Sequence, residues 1–202
     1  MASPNTEYTA LDQAFAHFNA ALFGSALVGV LITLHKHTRA RGYYRRKAFA
    51  HRGAAERFTD EICLCPNTHC GRSDQDILST LVHEMVHLWQ FHHGNPSRHG
   101  YHNREWADRM QALGLMPSST GAPGGQRTGQ RMTHYVIAGG RFDVACRELL
   151  ATGWRLQWEE PETPPELVRA TRQRFVCPTC RLIAYSQPSA WLICGGCLSV
   201  MR

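Results

Sequence analysis

The chain has no apolar run of the roughly 20 residues needed to cross a bilayer as a helix. Its longest apolar stretch, Ala26 to Leu34, is broken by Gly29 and Thr33 and reads as a strand. No membrane is therefore expected among its partners. The start, Met1-Ala2-Ser3-Pro4-Asn5, lacks the basic region and apolar segment of a secretory signal. The protein is expected to stay in the cytoplasm, where thiols are kept reduced. That setting argues against a disulfide framework for the eight cysteines. No internal repeat is present, so a solenoid is not expected.

The 202 residues are enough for one core and a small satellite unit, and a hydrophobic content of 43% is ordinary for a globular chain. The formal charge is +6 and the pI about 9.0. A basic balance favours contact with a polyanion such as nucleic acid, though many soluble proteins are merely basic. Histidine stands out: twelve in all, six of them from His83 to His102.

Leu11, Phe15, Phe18 and Leu22 recur with helical spacing. Val28–Leu34, Tyr43–Phe49 and Glu61–Cys65 read as strands, with Arg41-Gly42-Tyr43 offering a turn and Pro66 ending the third. Asp74 or Asp76 can cap a helix whose buried side carries Ile77, Leu78, Leu81, Val82, Met85 and Leu88. Another helix is expected over His102–Leu113, with Gly114 closing it. Residues 117–129 read as a long loop, and residues 133–138 and 152–158 as short strands.

The capped helix contains His83-Glu84-Met85-Val86-His87, an HExxH motif. Residues four apart share a helix face, so His83 and His87 can hold one Zn²⁺, while Glu84 can reach a zinc-activated water and act as general base. The motif is short, and two histidines with a surface glutamate is the bland alternative. A catalytic zinc needs a third protein ligand. His93 stands where the metzincin pattern puts its last histidine, but Gln90 replaces the glycine that turns that chain. Glu105, His102, His92 and His99 also compete.

Cys177-Pro178-Thr179-Cys180 and Cys194-Gly195-Gly196-Cys197 form two Cys-x-x-Cys pairs, the spacing of a closed tetrahedral zinc ribbon. Gly195 and Gly196 would ease crowding around the metal. So short a segment cannot bury a core large enough to fold alone, and metal can supply the difference. Cys63, Cys65 and Cys70, with His69, have irregular spacing and read as buried small apolar residues, and Cys146 as core. Lys36, Arg39, Arg41, Arg45, Arg46, Lys47 and Arg52 crowd one segment, interleaved with Tyr43, Tyr44 and Phe49. Cations neutralise phosphates and aromatic faces stack bases, so this is a candidate DNA surface, against the alternative of a solvated hairpin. Arg172, Arg174 and Arg181 add charge near the ribbon, and His134 and Tyr135 are candidates for the cleft if they are not ordinary strand residues.

From Asp60 to Gly140 the chain resembles the SprT-like family, related to Spartan-type DNA–protein crosslink proteases. The matching residues are Asp60-Glu61-Ile62, His83-Glu84-Met85-Val86-His87-Leu88-Trp89-Gln90, His99-Gly100-Tyr101-His102-Asn103-Arg104-Glu105-Trp106, Met110 and Gly114-Leu115. The resemblance implies His102 as the third ligand, and Glu105 as a supporting residue. It also implies an α+β, zincin-like peptidase domain, ordered helix, three-stranded sheet, HExxH helix and following helix, and a C-terminal zinc ribbon. The expected organisation is a metallopeptidase domain at 6–158, a linker at 159–173 and a ribbon at 174–202, with one catalytic and one structural zinc. The expected substrate is protein, bound or crosslinked to DNA, which would place the chain on the nucleoid. A general intracellular peptidase without DNA dependence and a non-catalytic zinc-containing adaptor are the rivals; the presence of Glu84 argues against the second.

Overall fold

The computed structural model describes residues 5–36, 40–158 and 172–202. Arg39 and most of the expected linker lie outside them. The chain divides into two compact units, Met1–Pro161 and Glu162–Arg202.

The first unit opens with α1 (Asn5–Phe23), which buries Leu11, Phe18 and Leu22 at the expected helical spacing. Three strands follow: β1 (Leu31–Leu34), β2 (Gly42–His51) and β3 (Ala54–Leu64). Their order is β1-β3-β2, with β1 parallel and β2 antiparallel to β3. The tight hairpin is thus β2–β3, turning at Arg52–Gly53, and Gly42 is the first residue of a strand. β3 begins well before Glu61 because its first half is exposed and carries no apolar alternation to read.

The β2–β3 register slips between Arg45 and Phe49. Lys47 there has φ 47°, and its N–H donates to Asp60 Oδ1 at 2.7 Å. Tyr44 Oη donates to Asp60 Oδ2 at 2.8 Å, and His92 Nε2 lies 2.7 Å from the same oxygen. Burial pushes the Asp60 carboxyl up, but these three hydrogen bonds outweigh it and hold it below the usual range. One carboxylate therefore fixes a bulge and fastens it to the following helix.

That helix, α2 (Asp74–His93), is capped by Ser73 and not by either aspartate. Ser73 Oγ accepts from Asp76 N at 3.1 Å, and Asp76 Oδ2 accepts from Ser73 N at 3.4 Å, a reciprocal capping box. α2 packs tightly on β2 at Gly42, where a Cβ would come within 2.9 Å of the Cys63 carbonyl, 3.0 Å of Thr80 and 3.4 Å of Glu84. α3 (Arg104–Ala112) starts after Asn103, whose side chain accepts from Trp106 N at 3.0 Å. Gly114, with φ +92°, follows it; a Cβ there would meet Arg141 N at 2.9 Å.

β4 (Leu115–Ser118) and β5 (Thr133–Val136) pair antiparallel. α4 (Arg141–Ala151) was not anticipated, although Phe142, Ala145, Cys146 and Leu149 keep strict helical spacing and are all buried. Phe142 stacks on Phe18 of α1 at 5.6 Å. Residues 152–158 form no strand; Trp154 Nε1 donates to Ala10 O at 2.8 Å, tying this stretch back to α1. Among the described residues, no helix is long and apolar enough to cross a membrane.

The second unit has β6 (Gln173–Val176) and β7 (Ile183–Ser186) in one antiparallel pair. Its small core is Phe175, Cys177, Cys194 and Met201.

Candidate metal centres

His83 and His87 project from one face of α2. His102 precedes α3, held by a two-way backbone bridge with Gly129. The three Nε2 atoms converge: His87 to His102 is 3.0 Å and His102 to His83 is 3.3 Å. Nitrogens about 2.0–2.1 Å from a tetrahedral zinc lie about 3.3–3.4 Å apart, so the spacing fits that ion. Trp106 is wholly buried and packs against all three rings, with centroids 4.9, 5.6 and 4.3 Å from His83, His87 and His102.

The hydrogen-bond chain behind the rings fixes their tautomers. Ser79 Oγ donates to the Asp76 carbonyl at 2.7 Å, so its oxygen accepts from His134 Nε2–H at 2.9 Å. Burial pushes His134 down to about 4, so it is neutral and its Nδ1 carries a lone pair. That nitrogen, 3.2 Å from His83 Nδ1, accepts its proton, which leaves His83 Nε2 bare. His102 Nδ1 donates to the Gly129 carbonyl at 3.2 Å, so its Nε2 is bare as well. Two lone pairs 3.3 Å apart repel unless a cation lies between them. Burial, followed by the neighbouring imidazoles, keeps His83 well below its ordinary pKa, and burial brings His87 down to about 3. The rings are thus held in the neutral form that metals require.

Glu84 is 6% exposed. Burial pushes its carboxyl up to about 8, against a lowering hydrogen bond from the Tyr44 backbone.

The other candidates turn elsewhere. α2 runs on past Gln90 instead of turning there. Gln90 is buried and donates to Asn103 Oδ1 at 2.8 Å and Glu105 Oε2 at 2.7 Å. Glu105 also accepts from Asn95 N at 2.8 Å, so it braces the α2–α3 connection. His93 lies 3.2 Å from the Ala26 carbonyl, His92 is on Asp60, and His99 is exposed. His134 was only weakly signalled in the sequence, because nothing in a strand pattern says which neighbour a ring will touch.

In the second unit, Cys177, Cys180, Cys194 and Cys197 place their sulfurs within 4.8 Å of one another. Cys180 and Cys194 are 3.6 Å apart, close to the edge of about 3.8 Å expected around zinc with metal–sulfur bonds of about 2.3 Å. The backbone N–H of Cys180 donates to Cys177 Sγ at 3.5 Å, the foremost cause bringing the Cys177 thiol down to about 6. Gly195 and Gly196 do not relieve crowding: a Cβ on either would meet nothing within 4 Å. The sharp bends fall one residue after each second cysteine, at Arg181 (φ 64°) and Leu198 (φ 52°). These let Arg181 N reach Cys177 O at 3.0 Å and Leu198 N reach Cys194 O at 2.7 Å.

Among the described residues, these two clusters are the groups ready to hold a metal. Cys63, Cys65 and Cys146 are wholly buried, and Cys70 is exposed. No disulfide joins the described cysteines. Of the candidate nucleic-acid contacts, Lys36, Arg41, Arg45, Arg46 and Lys47 are exposed. Arg45 lies over Tyr43, Arg46 over Phe91 and Lys47 over Phe58, at 5.8, 5.3 and 5.6 Å. Phe49 and Phe58 are 41% and 49% exposed on the same hairpin, so aromatic surface remains open there.

The fold and its two convergent donor sets define a mixed α/β chain with a histidine centre and a cysteine centre, both suited to zinc. The SprT-like family model matches residues 11–127, more than half of the chain, and the chain belongs to the SprT-like family. The matched span includes His83, Glu84, His87 and His102 and ends before Cys177, Cys180, Cys194 and Cys197. No curated protein matches the chain.

Proposed function

We propose that the chain is a zinc-dependent endopeptidase of zincin-like architecture, with His83, His87 and His102 as ligands and Glu84 as general base. The convergence of three neutral imidazoles carries this reading. Zinc, when bound, would supply Lewis acidity toward a peptide carbonyl and acidify a water. A cation bound beside Glu84 would counter the burial that raises its carboxyl and keep it ionised, so that the carboxylate can take the proton of the water that adds to the carbonyl carbon. As the C–N bond breaks, Glu84 returns that proton to the leaving nitrogen. His134 and Gly129 orient His83 and His102 from behind, and Trp106 keeps the rings from turning. The test is Glu84→Gln: it should retain zinc and lose cleavage, whereas equal activity would remove Glu84 from the mechanism.

The cysteine set is read as a second, structural zinc within a ribbon at 174–202, since four sulfurs leave no open position. The peptidase domain is read as 6–158.

DNA-bound or DNA-crosslinked protein is the substrate class we favour, in a cytoplasmic, DNA-associated setting. The support is the exposed Arg45, Arg46 and Lys47 on a hairpin that also carries the exposed Phe49 and Phe58. Cleavage should be faster on DNA-bound than on free substrate, with the gain lost at high salt. Equal rates with and without DNA would leave a general metallopeptidase.

A further inference from the structure

A cleft of about 440 Å³ lies beside the histidine centre, lined by Arg41, Arg72, Asp76, His134 and Tyr135. We propose that it is a subsite for an acidic side chain of the polypeptide substrate, with Arg41 and Arg72 reading the carboxylate. This rests on the peptidase reading.

Two guanidiniums face one cleft, and among the described residues neither has a carboxylate within ion-pair distance. Arg72 Nη2 is held by the Asp76 carbonyl at 2.6 Å and Thr80 Oγ1 at 2.9 Å, which fixes the fork. Its Nη1 is buried with no partner. Asp76 is the one acid on the cleft wall, and its Oδ2 is engaged by Ser73, with Ser73 Oγ at 2.7 Å. The cleft therefore has cationic donors to spare, in the planar geometry that suits a carboxylate. Burial, with the charge of Arg41 next, brings Arg72 below its usual range, and Asp76 only partly opposes them.

Position argues for peptide over nucleic acid. His134 lines the cleft and is 3.2 Å from His83, so the cleft is one ring away from the atoms that would hold the metal. Arg41 precedes β2, about four strand residues or roughly 13 Å from the Arg45–Lys47 cluster on the hairpin.

The test uses the full-length, zinc-loaded protein on an end-blocked peptide library from a digested proteome, with cleavage sites read by mass spectrometry. Wild type should favour Asp or Glu at one fixed position from the cut bond. Arg41→Glu should lower that preference about ten- to a hundredfold and admit Lys or Arg there. Identical site profiles would overturn the proposal. Arg72→Gln should weaken the same position without moving it, and Arg98→Gln, which removes an exposed charge elsewhere, should leave the profile alone. Should wild type cut nothing, the peptidase reading fails, and the cleft is judged by fluorescence anisotropy on a labelled Glu-containing peptide and its Gln twin. A Glu preference abolished in Arg41→Glu upholds the carboxylate site; equal affinities overturn it. An unchanged cleavage profile with weakened single-stranded DNA binding in Arg41→Glu would assign Arg41 to phosphate and also overturn it.

Discussion

The two centres differ in what supports them. The histidine centre sits within a large core: Val82, Met85, Val86 and Trp106 are wholly buried around it, and its rings are braced from behind by His134 and Gly129. The cysteine centre is itself half of the core of its unit, where Cys177 and Cys194 are two of the four buried residues of the cluster. In the first unit the fold builds the site. In the second, on our reading, the metal builds the fold.

That contrast is sharpest under metal removal. A chelator should unfold residues 174–202 while leaving the first unit folded, since structural zinc contributes about 10–16 kcal/mol in small domains. Hydrogen exchange read unit by unit checks this. A ribbon that keeps its protection without metal would break the comparison. Glu84→Gln should cost about 10²–10⁴ in turnover and change neither unit's fold. His134→Ala should lower zinc affinity at the histidine centre about 10–100-fold, because His83 loses the acceptor that sets its tautomer, and leave the cysteine centre untouched. Competition with a coloured chelator measures both.

Acid should separate the units more gently. Burial holds His69 and His134 at about 4 and His87 at about 3, with His83 and His102 also lowered. The unfolded chain takes up these protons first as pH falls below about 6.5. Their contribution is thus complete above 6.5 and is lost as pH falls toward 4. Glu84 and Glu7, both raised, act in the opposite sense, but the histidines outnumber them. The melting temperature of the zinc-free first unit should drop by several degrees from pH 7 to pH 5. Residues 172–202 contain no histidine and, stripped of zinc, should show no melting transition at all.

The centres were also unequally legible. HExxH on an amphipathic pattern and two Cys-x-x-Cys pairs are local signals, and local geometry carries them. The third histidine is not local. Five candidates were open on spacing alone, and family resemblance singled out His102. In the structure, Gln90 keeps α2 running through His93, Glu105 braces the loop and Asn103 starts α3, which leaves His102 facing the cluster. α4 has a readable signal in its Phe142–Leu149 spacing, but its N-cap is Gly140, with no side chain to mark the start of a helix. The first half of β3 and the bulge at Lys47 had no readable signal: the strand is exposed, and the bulge depends on Asp60, thirteen residues away. The relay through Ser79 and His134 depends on a contact 55 residues apart.

The most direct test of two zinc centres, one of them completed by His102, is metal stoichiometry in three proteins. Wild type should hold two zinc ions, and His102→Ala and Cys194→Ala one each. Two ions retained in His102→Ala would contradict the histidine centre as described and return the third position to His93 or Glu105.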